Sequence, residues 1–203
     1  WIELLSGLVD IGAMPMIETG FDALCQHYAE PHRAYHTLTH VEACLGHLEG
    51  LKDKVKDFEV MALALWFHDV IYDPMAKDNE AKSADYAKDF LLALDAPSDV
   101  IDRVGALIRL TQHPSRPVTE DERLLVDMDL AILGASDKVY QWYESAIRKE
   151  YQQVPDEAYR CGRRAVLNSF LGKERLFESA YFYEKLEAKA RQNLAWAMDQ
   201  LPL

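Results

Sequence analysis

The sequence of 203 residues is poor in cysteine: Cys25, Cys44 and Cys161 lie far apart and form no C-x-x-C motif. An odd number of separated cysteines argues against a disulfide framework or a zinc knuckle and favours reduced thiols. No apolar run approaches the length of about 18 residues that a membrane span needs. The stretch that follows Trp1 has no signal-peptide pattern. These absences predict a cytoplasmic protein that does not span a membrane.

Positive charge is also scarce, with 22 lysines and arginines against 34 acidic residues and a net charge of -12. A protein that binds a nucleic-acid polymer usually has a basic face, so we expect no such partner. A small phosphate-containing substrate stays compatible with this charge, because a metal ion and one or two arginines can form a positive pocket. No linker, low-complexity segment or repeat divides the chain, which favours a single domain over residues 1–203.

Apolar residues at helical spacing, by contrast, occur along almost the whole chain. Alternating patterns with hairpin signals, which are typical of strands, are absent, so the predicted fold class is all-α, a single helical bundle. Thr119 and Glu122 have the spacing of a capping box. The loops are expected near 31–36, 73–78 and 113–118. Helices are predicted over 18–29, 38–50, 57–72, 79–94 and 99–112, from Thr119 to near Gly134, from Ser136, from Pro155 to Gly172, and over 179–200.

The dyad His68-Asp69 follows eight uncharged residues, 60–67, that read as the middle of a buried helix. A buried carboxylate is costly unless it is paired or bound to a metal. Asp69 would also lie near the negative end of the helix dipole, where a cation would remove the penalty. The alternative is a buried imidazole satisfied by hydrogen bonds and an aspartate in solvent.

Two further pairs offer the rest of a coordination shell. His36 and His40 are four residues apart, and a cap at Thr37 or Thr39 would leave His36 outside the helix. We therefore expect His40 to be a ligand and His36 to support the site or touch substrate. Asp127 and Asp129 face opposite sides of a helix.

Asp129 has apolar neighbours at three and four residues, whereas Asp127 has Arg123 as a surface partner. Asp129 is therefore the predicted buried ligand, although a tyrosine or arginine in the core could satisfy it instead. The predicted set is His40, His68, Asp69 and Asp129. Two imidazoles and two carboxylates suit one divalent ion, among Mn, Fe, Zn, Co, Ni and Mg, without choosing between them. A water bound to such an ion is a nucleophile at neutral pH.

These residues resemble the H…HD…D signature of the HD-domain metal-dependent phosphohydrolases. The segments that carry the likeness are RAYHTLTH (33–40), ALALWFHDVIYDP (62–74), DNEAKSA (78–84) and DMDLAILG (127–134). The resemblance implies an HD core over about 30–135, with helices of 136–203 packed on it. It also implies metal ligation by His40, His68, Asp69 and Asp129 and hydrolysis of phosphate esters, with nucleotides among the candidates.

The sequence departs from that family at one position of interest. Some members carry a carboxylate three residues after the HD aspartate, where this chain has Tyr72. Asp73 or Glu80 is then the expected acid or base. Two-metal members and two-iron oxygenases of this fold carry two extra histidines before the last aspartate, and this chain has only His113, which favours one metal.

Substrate contacts are expected from Arg33, His36, His113 and Lys77, with Arg33 as the phosphate-binding group. The alternative for Arg33 and Lys77 is a solvent-exposed charge on a loop. The main hypothesis is a metal-dependent phosphohydrolase acting on a small molecule. The alternative hypothesis is a non-catalytic module that binds a nucleotide or metal, and a third hypothesis is a two-iron oxygenase. The sequence does not determine the oligomeric state, and a homodimer is one possibility.

Overall fold

The computed structural model describes residues 1–6, 13–112 and 116–201, and these are helical with no strand among them. The all-α prediction is therefore confirmed. No helix in these ranges is both long and apolar enough to cross a bilayer. The helices are α1 (Ile2–Ser6), α2 (Met14–Tyr28), α3 (Leu38–Glu49), α4 (Phe58–Phe67), α5 (Asn79–Ala93), α6 (Ser98–Leu110), α7 (Glu120–Leu130), α8 (Asp137–Glu150), α9 (Asp156–Leu171) and α10 (Ala180–Asp199).

Helix α4 is the centre of the fold. All but three of its ten residues are buried, so it has no polar face, and neighbouring helices cover it. It begins at Asp57, whose carboxylate accepts a hydrogen bond from the Val60 amide. It ends at Phe67, five residues before the predicted end, with His68 as its C-cap. The predicted dyad thus lies at the exit of the most buried helix.

The early end of α4 has a tertiary cause. The buried Arg33 guanidinium donates to the carbonyls of Asp69 and Val70, at 2.7 and 2.8 Å. The Ser83 hydroxyl of α5 pairs with both the amide and the carbonyl of Ile71. Because these side chains satisfy the backbone after Phe67, the chain turns away without continuing the helix.

Helix α7 begins with the predicted capping box of Thr119 and Glu122, which is confirmed. It ends at Leu130 and tightens into a 3-10 turn, Ala131–Gly134. The Asn193 amide of α10 holds this turn by donating to the carbonyls of Leu133 and Ala135, at 2.8 and 2.9 Å. A Cβ at Gly134 would lie 2.6 Å from the Cβ of Leu186, so only glycine allows this close approach.

The expectation that Asp127 is a surface carboxylate paired with Arg123 is wrong. Asp127 is fully buried and accepts hydrogen bonds from the amides of Glu178 and Ser179 and from the Ser179 hydroxyl. Arg123 pairs instead with Glu120. Asp127 therefore joins α7 to the start of α10, on the side of α7 away from Asp129.

Candidate metal centre

Four side chains from three helices converge in the interior, as the sequence predicts. His40 comes from α3, His68 and Asp69 follow α4, and Asp129 lies in the last turn of α7. The Nε2 atom of His40 lies 3.1 Å from both His68 Nε2 and Asp129 Oδ1, and 3.7 Å from Asp69 Oδ2. His68 Nε2 lies 3.2 Å from Asp69 Oδ2 and 3.6 Å from Asp129 Oδ1. We call these four residues the ligand cluster.

The spacing of these atoms is that of ligands around one small cation. Metal–ligand bonds of about 2.1 Å separate two donor atoms by about 3.0 Å at a right angle and about 3.4 Å at a tetrahedral angle. The separations between each imidazole and the other ligand atoms run from 3.1 to 3.7 Å. His40, His68 and Asp69 are therefore close enough together to hold a divalent ion, and Asp129 lies beside both imidazoles.

The outer hydrogen bonds of the two imidazoles orient them for this task. His68 Nδ1 lies 2.8 Å from the carbonyl of Leu65, and a carbonyl can only accept, so Nδ1 carries a proton. In the neutral ring the lone pair is then on Nε2, which faces the carboxylates. His40 Nδ1 lies 3.0 Å from the Tyr35 hydroxyl, which fixes the direction of its Nε2. Backbone and tyrosine partners of this kind are usual behind metal-bound histidines.

Electrostatics also favour positive charge at this point. Burial alone lowers the pKa of His68, but the charge of Asp69 and hydrogen bonds to Asp129 and Asp69 raise it well above its usual value. Burial opposes ionisation of Asp129, yet its hydrogen bonds to His40 and His68 hold the pKa of this carboxyl well below its usual range. Asp69 and Asp129 both lie at helix C-terminal ends, where the helix dipole repels a carboxylate. A cation would offset both costs.

Cys44 is a fifth group near the ligand cluster, and it was not predicted as a ligand from sequence. Its Sγ lies 3.9 Å from both ring nitrogens of His40 and 3.6 Å from the carbonyl of Met128. His40, Cys44 and Asp129 are close enough together to form an alternative metal-binding group. Burial and the charge of Asp129 raise the pKa of the Cys44 thiol well above its usual value, so the neutral thiol donates to Met128.

A buried glutamate from α8, Glu150, organises the turn that carries the first histidine. Its Oε1 accepts from the amides of Ala34, Tyr35 and His36, at 2.8, 2.7 and 3.0 Å. Its Oε2 lies 2.7 Å from His36 Nδ1 and accepts from the Tyr72 hydroxyl, also at 2.7 Å. Burial opposes ionisation, but the His36 hydrogen bond and the backbone amides lower the pKa of Glu150 to about 2.

Glu150 thereby supports the ligand cluster without entering it. It fixes Tyr35, which orients His40, and it holds His36, whose ring stacks on Tyr72 with centroids 4.2 Å apart. Glu150 was not predicted from sequence, because the turn that it holds lies more than a hundred residues away along the chain. The predicted position of His36, outside α3 and beside the centre, is confirmed, and its contact with substrate stays a prediction.

Arg33 is placed inside the protein and not on a loop surface. Its side chain is fully buried, and it donates to Glu30, to the carbonyl of His36 and to the two carbonyls after His68. It also lies over the rings of Tyr28 and Tyr72. These contacts give Arg33 a structural role at the end of α4, and its predicted phosphate contact finds no support in them.

The two proposed acid–base residues differ in their surroundings. Asp73 is exposed, and its carboxylate accepts from the Met75 amide within its own loop, at 2.9 Å. Glu80, in the first turn of α5, is half-buried. Burial raises the pKa of Glu80, and the negative charges of Asp69 and Asp129 raise it further. Burial thus favours Glu80 over the exposed Asp73 as the acid or base.

The two other residues predicted to touch substrate are Lys77 and His113, and the structure supports neither contact. Lys77 is exposed, and its carbonyl accepts from Gln112 at the end of α6. His113 lies outside the residues that the structure describes. Both contacts stay predictions.

A cavity of about 330 Å³ adjoins the ligand cluster on the side of His40 and Asp129. It lies between α3, the 3-10 turn after α7, α8 and α10. Its side chains are Tyr35, Thr39, His40, Ala43, Cys44, His47, Met128, Asp129, Ala131, Ile132, Val139, Trp142 and Leu186, with backbone from Gly134 and Ala135.

Comparison of the chain with protein-family models, with curated proteins and with solved structures found no match. Function is therefore inferred from the ligand cluster, its supporting residues and the adjoining cavity.

Proposed function

We propose that the protein is a metal-dependent hydrolase of phosphate esters, of the HD-domain type that its sequence resembles. The observation that carries this proposal is the ligand cluster itself. Its donor set of two imidazoles and two carboxylates suits a divalent metal ion. The side chains of Asp69 and Asp129 are 14% and 18% exposed, so substrate and water can reach the cluster from solvent.

A divalent ion held by these residues would supply an activated water and a positive charge for a phosphoryl oxygen. The chain supplies the orientation. Tyr35 and the Leu65 carbonyl hold the two imidazoles with Nε2 facing inward. Glu150 holds the turn that carries Tyr35.

Glu80 is the residue we assign to proton transfer. Burial raises the pKa of Glu80, which keeps a proton on the carboxyl closer to neutral pH and suits donation to the leaving oxygen of the ester. Glu80 lies in the first turn of α5, which begins after the loop that follows Asp69.

The test is a phosphatase screen with Mn, Co, Ni, Zn, Fe(II) and Mg, followed by two matched variants. Glu80→Gln is expected to lower turnover by about a hundredfold, the usual weight of one acid–base group, while metal content stays at the wild-type level. Asp73→Asn is the control and is expected to keep turnover within about twofold. Full activity of Glu80→Gln would assign the proton transfer to another group.

The non-catalytic alternative draws support from position 72. Tyr72 stands where a carboxylate acts in some HD-domain proteins, and its hydroxyl is engaged by Glu150. A binding module would be silent with every metal in the screen and would still show a ligand-induced rise in melting temperature.

A further inference from the structure

We propose that the cavity beside His40 and Asp129 receives an uncharged aromatic ring in the part of the substrate that leaves with the ester oxygen. This inference rests on the proposed function, because it assigns a substrate class to the same centre.

The cavity is continuous with the ligand cluster. His40 and Asp129 form part of its wall, so a group bound there would lie against the proposed reaction centre. Tyr35 connects the two, since its hydroxyl bonds to His40 Nδ1 and its ring lies 6.2 Å from that of Trp142, centroid to centroid. A phosphate at the centre would therefore place its organic substituent in this cavity.

The chemistry of the wall selects against a charged substituent. Among the described residues that line it, none is a lysine or arginine, and most are apolar. A second phosphate or a carboxylate would find no counter-charge and would meet the carboxylate of Asp129. Away from the ligand cluster, Tyr35 and Cys44, the polar side chains of the wall are Thr39 and His47, and a few polar groups in a mostly apolar wall suit a pocket that binds an apolar group and fixes its orientation.

The size of the cavity and the residues at its mouth favour an aromatic ring as the bound group. A cavity of about 150 Å³ is enough to bind benzene, and this one is about twice as large, at about 330 Å³. Its mouth is open, since Val139 and Trp142 are 45% and 48% exposed and Thr39, Ala43 and His47 are exposed on α3. The exposed indole of Trp142 and the buried phenol ring of Tyr35 give an aromatic guest faces and edges on which to pack.

The test compares two primary alkyl esters, 2-phenylethyl phosphate, which carries the ring, and glycerol 3-phosphate, which carries two hydroxyl groups in its place. With the metal-loaded protein, kcat/KM is expected to be at least about tenfold higher for the ring substrate, since burial of an apolar group in such a pocket has about this weight. Equal values for the two esters would overturn the inference while leaving the proposed hydrolase intact.

A matched pair of variants locates the effect. Ala43→Trp fills the cavity from an exposed helical position and is expected to reduce the ratio of the two kcat/KM values by at least about tenfold. Glu42→Trp adds the same bulk at the neighbouring exposed position, which does not line the cavity, and should leave the ratio unchanged. An unchanged ratio in Ala43→Trp would refute the placement.

Binding of a phosphonate separates this inference from the proposed function. 3-Phenylpropylphosphonate cannot be hydrolysed, and calorimetry is expected to detect its binding to the metal-loaded wild type and a loss of about tenfold in affinity in Ala43→Trp. If no ester is cleaved with any metal and this pattern holds, the ring pocket stands and the hydrolase proposal fails. Absence of binding to the wild type overturns the ring pocket.

Discussion

Truncation of Glu150 gives a sharp test of how the centre is supported. Glu150→Ala removes the acceptor of three backbone amides, those of Ala34, Tyr35 and His36, and the partner of the Tyr72 hydroxyl and of His36 Nδ1. The bond from the Tyr35 amide is fully buried, so no water replaces it easily. The other donors lie in partly buried positions where water can compensate in part.

The expected cost follows from these partners. A buried donor left without an acceptor costs about 1–3 kcal/mol, and each partly compensated bond costs about 0.5–1 kcal/mol. We therefore expect Glu150→Ala to lower the free energy of unfolding by at least about 3 kcal/mol. Because the 34–36 turn carries Tyr35 against His40, the variant should also lose about tenfold in metal affinity, as is usual when the residue behind a ligand is removed.

Urea unfolding followed by circular dichroism measures the first effect, and calorimetric metal titration the second. Glu150→Gln keeps one acceptor oxygen and the shape, so a loss of about 1 kcal/mol is expected for it. Glu184→Ala, an exposed glutamate in α10, is the control and should change little. A loss below about 0.5 kcal/mol in Glu150→Ala would refute the argument that this carboxylate holds the turn.

Two further predictions concern stability. Gly134→Ala should lower the melting temperature, because the new Cβ meets Leu186, and the cost in stability should be about 1–3 kcal/mol. Gly46→Ala is the control: its Cβ would lie in open space, so it should be neutral or stabilising. The pKa of Glu150 is lowered from 4.5 to about 2, so its contribution is complete above pH 4.5 and is lost as the pH falls towards 2. In acid unfolding titrations the wild type should therefore lose more stability than Glu150→Gln over that range, and parallel curves would contradict this.

The sequence was sufficient where the deciding signal is local. Apolar spacing predicted the helices, and the capping box at Thr119 predicted the start of α7. The ligand cluster could be chosen because its members break local rules: His68 and Asp69 follow an uncharged helix, and Asp129 lies among apolar neighbours. A polar group in an apolar setting needs a partner, and this need is visible in sequence before the partner is known.

The sequence was insufficient where the partner lies far along the chain. Asp127 had a plausible partner at Arg123, yet its hydrogen bonds come from residues more than fifty positions away. Arg33 was predicted to bind phosphate because it lies on a loop. Its N–H groups instead donate to the carbonyls of Asp69 and Val70, which lie beyond the end of α4 at Phe67. Local charge patterns do not show which of several possible partners a buried polar side chain takes, because the packing of distant helices determines which groups lie close to it.

A metal titration of the chelator-stripped protein, by calorimetry and elemental analysis, tests the metal centre itself. We expect one divalent ion per chain, with affinity reduced by at least about a hundredfold in Asp69→Asn and in Asp129→Asn, since each removes a charged ligand. Asp89→Asn, at an exposed position on α5, should bind as the wild type does. The metal centre is refuted if the wild type takes up none of the Mn, Fe, Zn, Co, Ni and Mg ions, or if Asp69→Asn and Asp129→Asn bind them as tightly as the wild type does.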